Sequence, residues 1–530
     1  MSNPNAEDKI PALRRELARR RSECLELAPE DAMAQILEHP QPAALVHSFP
    51  EEDFHLLLQE IGPDDARPLI ALASSRQLEY VLDQQVWERD RIDLKSLSLW
   101  LARFVQSEPA RMVRWLTTEK PDLVEFYLFK SIEVRMRVHD QDPGDFGDGF
   151  FSLDNVFYVR IRDFPTAEPP GEAFQKQHHR LVYRILERLA EDDYVHYQSV
   201  LLAAVHVIPA ETEEEAYRQR SFRLAEKGFL PFEEAVGLYQ PLGFDRFHQT
   251  AARFRPLPET GDTRLPMVPL TLLDRDHLFS RTLQTMAPGE ALDQIQSEFV
   301  SLCNRITVAD RLKMTSRDDL RAVVHKACGY LNIGLERLEA DPPSAAGTAR
   351  GVQAFTLDGL FRLGYSEAVG VKQAAERWEG ASWFGRNGLP LSFWGETWLG
   401  VVGGLLLKRP LFFDNYQSGR LYREFTSLAD VQGAGRQLAQ AQAFDRLLEQ
   451  MRLDLPPWRR YGHLTYKSVL LTLWARRTLG LTDTLKPIPL DAFAPFWESL
   501  FSTAAPKGAS GRTIGDDRKS DLLLWLAQRT

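Results

Sequence analysis

Cysteine is scarce. The chain has three in 530 residues, Cys24, Cys303 and Cys328, too few for a disulfide framework, so a reducing cytoplasm is the expected setting. Long apolar runs are missing as well. The stretch nearest to a membrane span, Leu389 to Leu407, contains Pro390, a mid-segment Glu396 and several glycines, and is expected to form a buried core helix. The segment Met1 to Lys9 is polar and no apolar signal-peptide core follows it. Basic charge is not in excess: 64 Lys and Arg against 74 Asp and Glu leave a formal charge of −10, which argues against broad nucleic-acid binding. G-x-S-x-G and H-E-x-x-H are absent, and no dinucleotide-binding fingerprint follows a credible strand. Neither Gly395 to Gly404 nor Lys507-Gly508-Ala509-Ser510-Gly511-Arg512-Thr513 places a lysine and a hydroxyl residue as a P-loop requires.

What is present points to architecture more than to chemistry. Apolar residues are 44% and charged residues 26%, the composition of a globular chain able to build sizeable cores. Near the start one phrase recurs: proline, acids, then a short apolar run. It reads Pro29-Glu30-Asp31-Ala32-Met33, then Pro50-Glu51-Glu52-Asp53-Phe54, then Pro63-Asp64-Asp65-Ala66-Arg67-Pro68, with looser copies at Pro42, Pro109 and Pro121. Proline suits the first helical position because its missing N–H would be unpaired there, and acids after it face the positive end of the helix dipole. The phrase is a repeated helix start, and its close spacing predicts stacked short helices over residues 1–130.

The pattern changes at residues 131–165. An acidic loop from His139 to Gly149 precedes two aromatic, β-branched runs around Asp154-Asn155, which predict a β-hairpin. Helical spacing returns in a body over 166–340, with Leu181, Val182, Ile185, Leu186 and Leu189 on one face and Leu292 to Ile306 on another long helix. The helix near Tyr194 to Val207 is apolar on most sides and is expected to be buried. Residues 341–350 are the best linker candidate, and 351–530 form a mostly helical C-terminal region. Gly228-Phe229 to Gly237 echoes Gly364-Tyr365 to Gly370; a duplicated loop-to-helix entry and chance similarity both fit. The fold class expected is mainly α, with an N-terminal superhelix, a small hairpin insertion and a larger helical body.

Candidate chemistry is thin. Asp140, Asp142, Asp145 and Asp148 supply oxygen ligands for calcium or magnesium, but their spacing is not that of an EF-hand, and a solvated turn is the plainer reading. Cys303, His325 and Cys328 lack an evident fourth zinc ligand. His178, His179, Glu191, Asp192, Asp193 and His196 read as surface polar residues. An enzyme of unfamiliar type would place its site where the hairpin meets the helical body, with Asp154, Arg160 and Arg162 near Glu234 or Asp310.

The phrase at residues 29 to 70 resembles the short-helix repeats in the cytosolic N-terminal domain of MgtE-type magnesium transporters, a likeness that implies a helical superhelix. The phrases Phe151-Ser152-Leu153-Asp154, Arg223-Leu224-Ala225-Glu226-Lys227-Gly228-Phe229 and Lys408-Arg409-Pro410-Leu411 make the whole chain similar to an uncharacterised bacterial family, a domain of unknown function. The expectation is a non-enzymatic interaction or regulatory protein with a protein partner and no cofactor. An enzyme and a divalent-cation sensor are the alternatives.

Overall fold

The computed structural model describes residues 9–138, 141–164, 171–206, 209–252, 265–273, 277–338, 344–453, 464–501 and 514–528. The chain divides into two compact units. The first takes Met1–Leu238, Phe254–Arg275 and Met286–Ala327; the second takes Tyr239–Arg253, Asp276–Thr285 and Cys328–Thr530.

Among the described residues the first unit begins with nine helices: α1 (Lys9–Glu26), α2 (Pro29–Leu37), α3 (Pro42–Ser48), α4 (Glu51–Ile61), α5 (Arg67–Leu72), α6 (Ser75–Gln85), α7 (Leu94–Ser107), α8 (Pro109–Glu119) and α9 (Pro121–Ser131). From α1 to α7, alternate helices pack together, α1 on α3, α3 on α5 and α5 on α7, with α2 on α4 and α4 on α6. Helices of 6 to 11 residues are too short to stand alone, so this winding stack is what holds them. Proline opens α2, α3, α8 and α9 without any side-chain cap, whereas α6 uses a capping box between Ser74 and Gln77. The copy at Pro63 is different. Residues 63–65 form a turn, the helix starts at Arg67, and Asp64 is held by the Arg103 guanidinium through two bonds of 2.9 Å.

Between α6 and α7 a short hairpin pairs β1 (Trp87–Glu88) with β2 (Arg91–Ile92). After α9 comes a three-stranded antiparallel sheet in the order β3 (Ile132–Met136), β5 (Phe157–Ile161), β4 (Phe150–Phe151). The expected hairpin around Asp154-Asn155 is there, joined by a third strand that directly continues α9. Then follow α10 (Glu172–Asp192), α11 (Tyr194–His206) and α12 (Pro209–Glu226). The apolar stripe of α10 is buried as its spacing predicts. Helix α11 is not fully buried: Tyr197, Val200 and Leu201 are inside, but Val195 and Leu202 are exposed. One core runs from Cys24 through α10 and α11 and takes in Val268.

In the second unit, the helix Leu357–Ala381 meets the later part of the helix Arg317–Leu338 through glycine. A Cβ on Gly364 would lie 2.0 Å from the Tyr330 carbonyl oxygen, and one on Gly334 would lie 2.3 Å from that of Leu360. Gly364 is therefore in mid-helix, while Gly228 follows the end of α12 at φ +83°, so the two echoing phrases have different structures. The apolar stretch Leu389 to Leu407 becomes a 3-10 turn (Leu391–Trp394) and the helix Gly395–Leu406, with Phe393, Trp394 and Leu405 buried. No described helix is long and apolar enough to cross a membrane. Of the linker candidate, 341–343 lie outside the described residues and 345–350 open the helix Ala345–Ala354. Buried Asp445 accepts from the backbone N–H groups of Trp383 and Phe384, anchoring an aromatic core around Trp378 and Trp394.

Candidate functional site

The sequence candidates on the hairpin are brought into one small region of the first unit. Alternation along β3 and β5 puts Glu133 opposite Arg160 and Arg135 opposite Tyr158 on one face of the sheet. Glu133 accepts from Arg135 at 2.8 Å and pairs with Arg160, and the two guanidiniums cover the Phe150 ring at 4.6 and 5.0 Å. Bonds from Arg160, reinforced by Arg135, hold the Glu133 carboxyl below the usual range. Asp154 serves the turn instead: its Oδ1 accepts from the N–H groups of Val156 and Phe157, both at 2.9 Å. The Arg162 backbone N–H bonds the Ser131 carbonyl while its side chain is exposed. Glu234 and Asp310 are engaged elsewhere. Glu234 is exposed, with its carbonyl accepting from Arg305, and Asp310 accepts from Lys326 at 3.0 Å in a mostly buried ion pair.

Of the acidic loop, Asp140 lies outside the described residues. Asp142 caps a 3-10 turn by accepting from the Gly144 N–H, and Asp145 and Asp148 are exposed. Among the described residues, no group of three or more His, Cys, Asp or Glu is arranged to hold a metal ion. His178 is a correction to the surface reading. It is fully buried, and its Nδ1 meets the Tyr127 hydroxyl, which also meets Ser98 Oγ, both at 2.8 Å. This chain of bonds ties α7, α9 and α10 together. Burial pushes the His178 pKa down to about 4.

A large concentration of paired charge among the described residues was not among the sequence candidates. It joins the helical stack to α12. Lys227 Nζ donates to Glu51 at 2.8 Å and to Glu52 at 2.9 Å, both in the first turn of α4. Arg223 grips Asp83 with bonds of 2.7 and 2.8 Å and lies 3.1 Å from Glu79, both on α6; Lys120 also pairs with Glu79. Arg220 donates to the Asp83 carbonyl at 2.7 Å and covers the Trp87 ring. Burial would raise Glu51, but Lys227 outweighs it and holds that carboxyl low. For Glu52 and Asp83 burial dominates and pushes the pKa up. Next to this seam, Asp53 accepts from the N–H groups of Met267 and Val268, and burial pushes its pKa up to about 7. The signals were present: Glu51 and Glu52 stand in the repeated phrase, and Arg220, Arg223 and Lys227 are spaced to share a helical face. What the sequence could not supply is that the two belong together across more than 140 residues.

Beside the seam, an open depression of about 600 Å³ is lined by the β1–β2 hairpin, Lys95 and Phe164, with exposed charges of both signs. No curated protein and no solved structure matches the chain. One family model does, over residues 9–529, so both units fall within a single family alignment. The chain belongs to a family of unknown function, DUF6178.

Proposed function

We propose that the protein is a non-enzymatic interaction or regulatory scaffold that works by binding another protein. The observation that carries this reading is an apolar surface at one end of the three-stranded sheet. Met136, Val138, Leu153 and Val156 stand exposed there, where the Arg137 N–H donates to the Val156 carbonyl. Helix α11 adds Tyr194, whose ring stacks 6.2 Å from that of Tyr197, and Tyr197 lies beside Asp154 in the same sheet's turn. Val138 is 67% and Met136 55% exposed in this one patch, an unfavourable placement for neighbouring apolar side chains unless a partner covers them. Stacked short helices also offer an extended surface suited to protein partners.

The test is purification of the tagged full chain from its native cell, beside a variant carrying Met136→Asp and Val138→Asp. The expected result is a protein at near-equal stoichiometry that is lost from the variant while the melting temperature stays unchanged. Absence of any stoichiometric partner, or equal recovery with both chains, overturns the proposal.

A further inference from the structure

We infer that α12 is a detachable strap, and that the acidic face beneath it is a docking groove for a basic helix of a partner protein. This rests on the interaction reading above and names the chemistry of a partner at a second surface. The strap is joined to α6 and the β1–β2 hairpin through charge and one ring contact: Arg220 and Arg223 meet Asp83 and Glu79, Glu213 accepts from the Ile92 N–H at 2.8 Å, and the Tyr217 ring lies 5.8 Å from that of Trp87. Among the described side chains of α12, Leu224 alone is buried, and Phe222 is 66% exposed. Leu224 belongs to a small cluster with Tyr80 and Phe229 that is separate from the main core of the unit. Helix α12 packs along α9, where its described side chains other than Leu224 are half-buried or exposed.

The end of the strap is built as a pivot. Gly228 has φ +83°, and a Cβ there would lie 2.3 Å from Ser301 Oγ, so only glycine fits. Asn304 holds the Lys227 carbonyl at 2.7 Å, and Lys227 itself is fixed by Glu51 and Glu52. Lifting α12 about this turn withdraws Arg220 and Arg223, leaving Glu79 with Lys120 and Asp83 without its arginine partners. The exposed groove carries surplus negative charge on α6. It fits a helix with cations at i and i+3, the spacing that Arg220 and Arg223 already display.

The test uses the full chain and a labelled peptide of residues 209–229. Wild type is compared with a variant carrying Arg220→Ala and Arg223→Ala. The variant is expected to bind the peptide about tenfold or more tightly than wild type, whose groove is occupied by its own strap. Binding should weaken as salt rises from about 50 to about 300 mM, and a peptide with Gln in place of its arginines should not bind. A folded variant that ignores the peptide overturns the inference. If the variant does not fold, hydrogen exchange on wild type decides. Residues 213–226 should exchange faster than α7 and α9. If they are protected as strongly as α7, the strap does not open and the inference fails, while the partner test above is unaffected.

Discussion

At the scale of single residues, the buried polar groups are where sequence reading was least informative. His178 looks like one of a pair of surface histidines, yet it is enclosed and bonded to Tyr127, which is bonded to Ser98. The hydroxyl satisfies two buried partners at once. Tyr127→Phe keeps the ring and removes that link, leaving Ser98 Oγ and His178 Nδ1 without it. The expected loss is about 1–3 kcal/mol in the first unit, read from the urea midpoint at constant slope. A loss near zero would mean that the two groups find other partners. His55 makes a second case. Gln85 Nε2 donates to its Nε2 at 2.8 Å, so that nitrogen must be unprotonated, and burial pushes the pKa down to about 4.

At the scale of elements, glycine decides how close two helices of the second unit come. The Gly364 and Gly334 contacts put backbone against backbone, which also gathers Tyr330, Phe361 and Tyr365 into one aromatic group. Neither Tyr330 O nor the helix behind it can move cheaply. Gly364→Ala should therefore lower the stability of the second unit by about 1–3 kcal/mol or more, despite the better helix propensity of alanine. Gly370, in the same helix with open space at its Cβ position, is the control: Gly370→Ala should be neutral or slightly stabilising. Equal effects at the two positions, measured by thermal melts, would remove the close-contact explanation. The elements themselves were mostly legible. Prolines at 29, 42, 109 and 121 mark helix starts because a missing N–H is harmless there. Pro63 misled because Pro68, five residues later, is the proline that sits in the helix's first turn. Strand β3 went unread because Ile132 to Met136 continues a helix without a turn signal, and its pairing partner lies 21 to 29 residues away.

At the scale of the whole molecule, pH reports on how the first unit holds its buried groups. His55 stays neutral in the folded state down to about pH 4, while in the unfolded chain it takes a proton below about 6.5. The unfolded state thus binds more protons between those values, and the stability that His55 contributes is lost as pH falls through that window. Asp53 acts in the opposite sense: its folded pKa of about 7 lies above its unfolded one, so its contribution grows as pH falls from 7 towards 4. Comparing wild type with His55→Gln isolates the first effect, because Asp53 is common to both. The stability difference between them should shift in favour of the variant on acidification from pH 6.5 to 4. A difference that does not change with pH would show that His55 is not held neutral.

The sequence by itself determined the helical class, the hairpin at Asp154-Asn155, the apolar faces of α10 and of the helix Glu290–Asp310, and membership of one family along the chain. These follow from local rules: periodicity, proline at helix starts, β-branched runs beside turn residues. Tertiary structure decided which charges meet. Glu51 and Glu52 read locally as acids of a helix start, and nothing local assigns partners to Glu79, Asp83, Arg220, Arg223 or Lys227. Their pairing depends on how the chain returns to itself after α9, and that path is set by packing of apolar surface that no local pattern encodes.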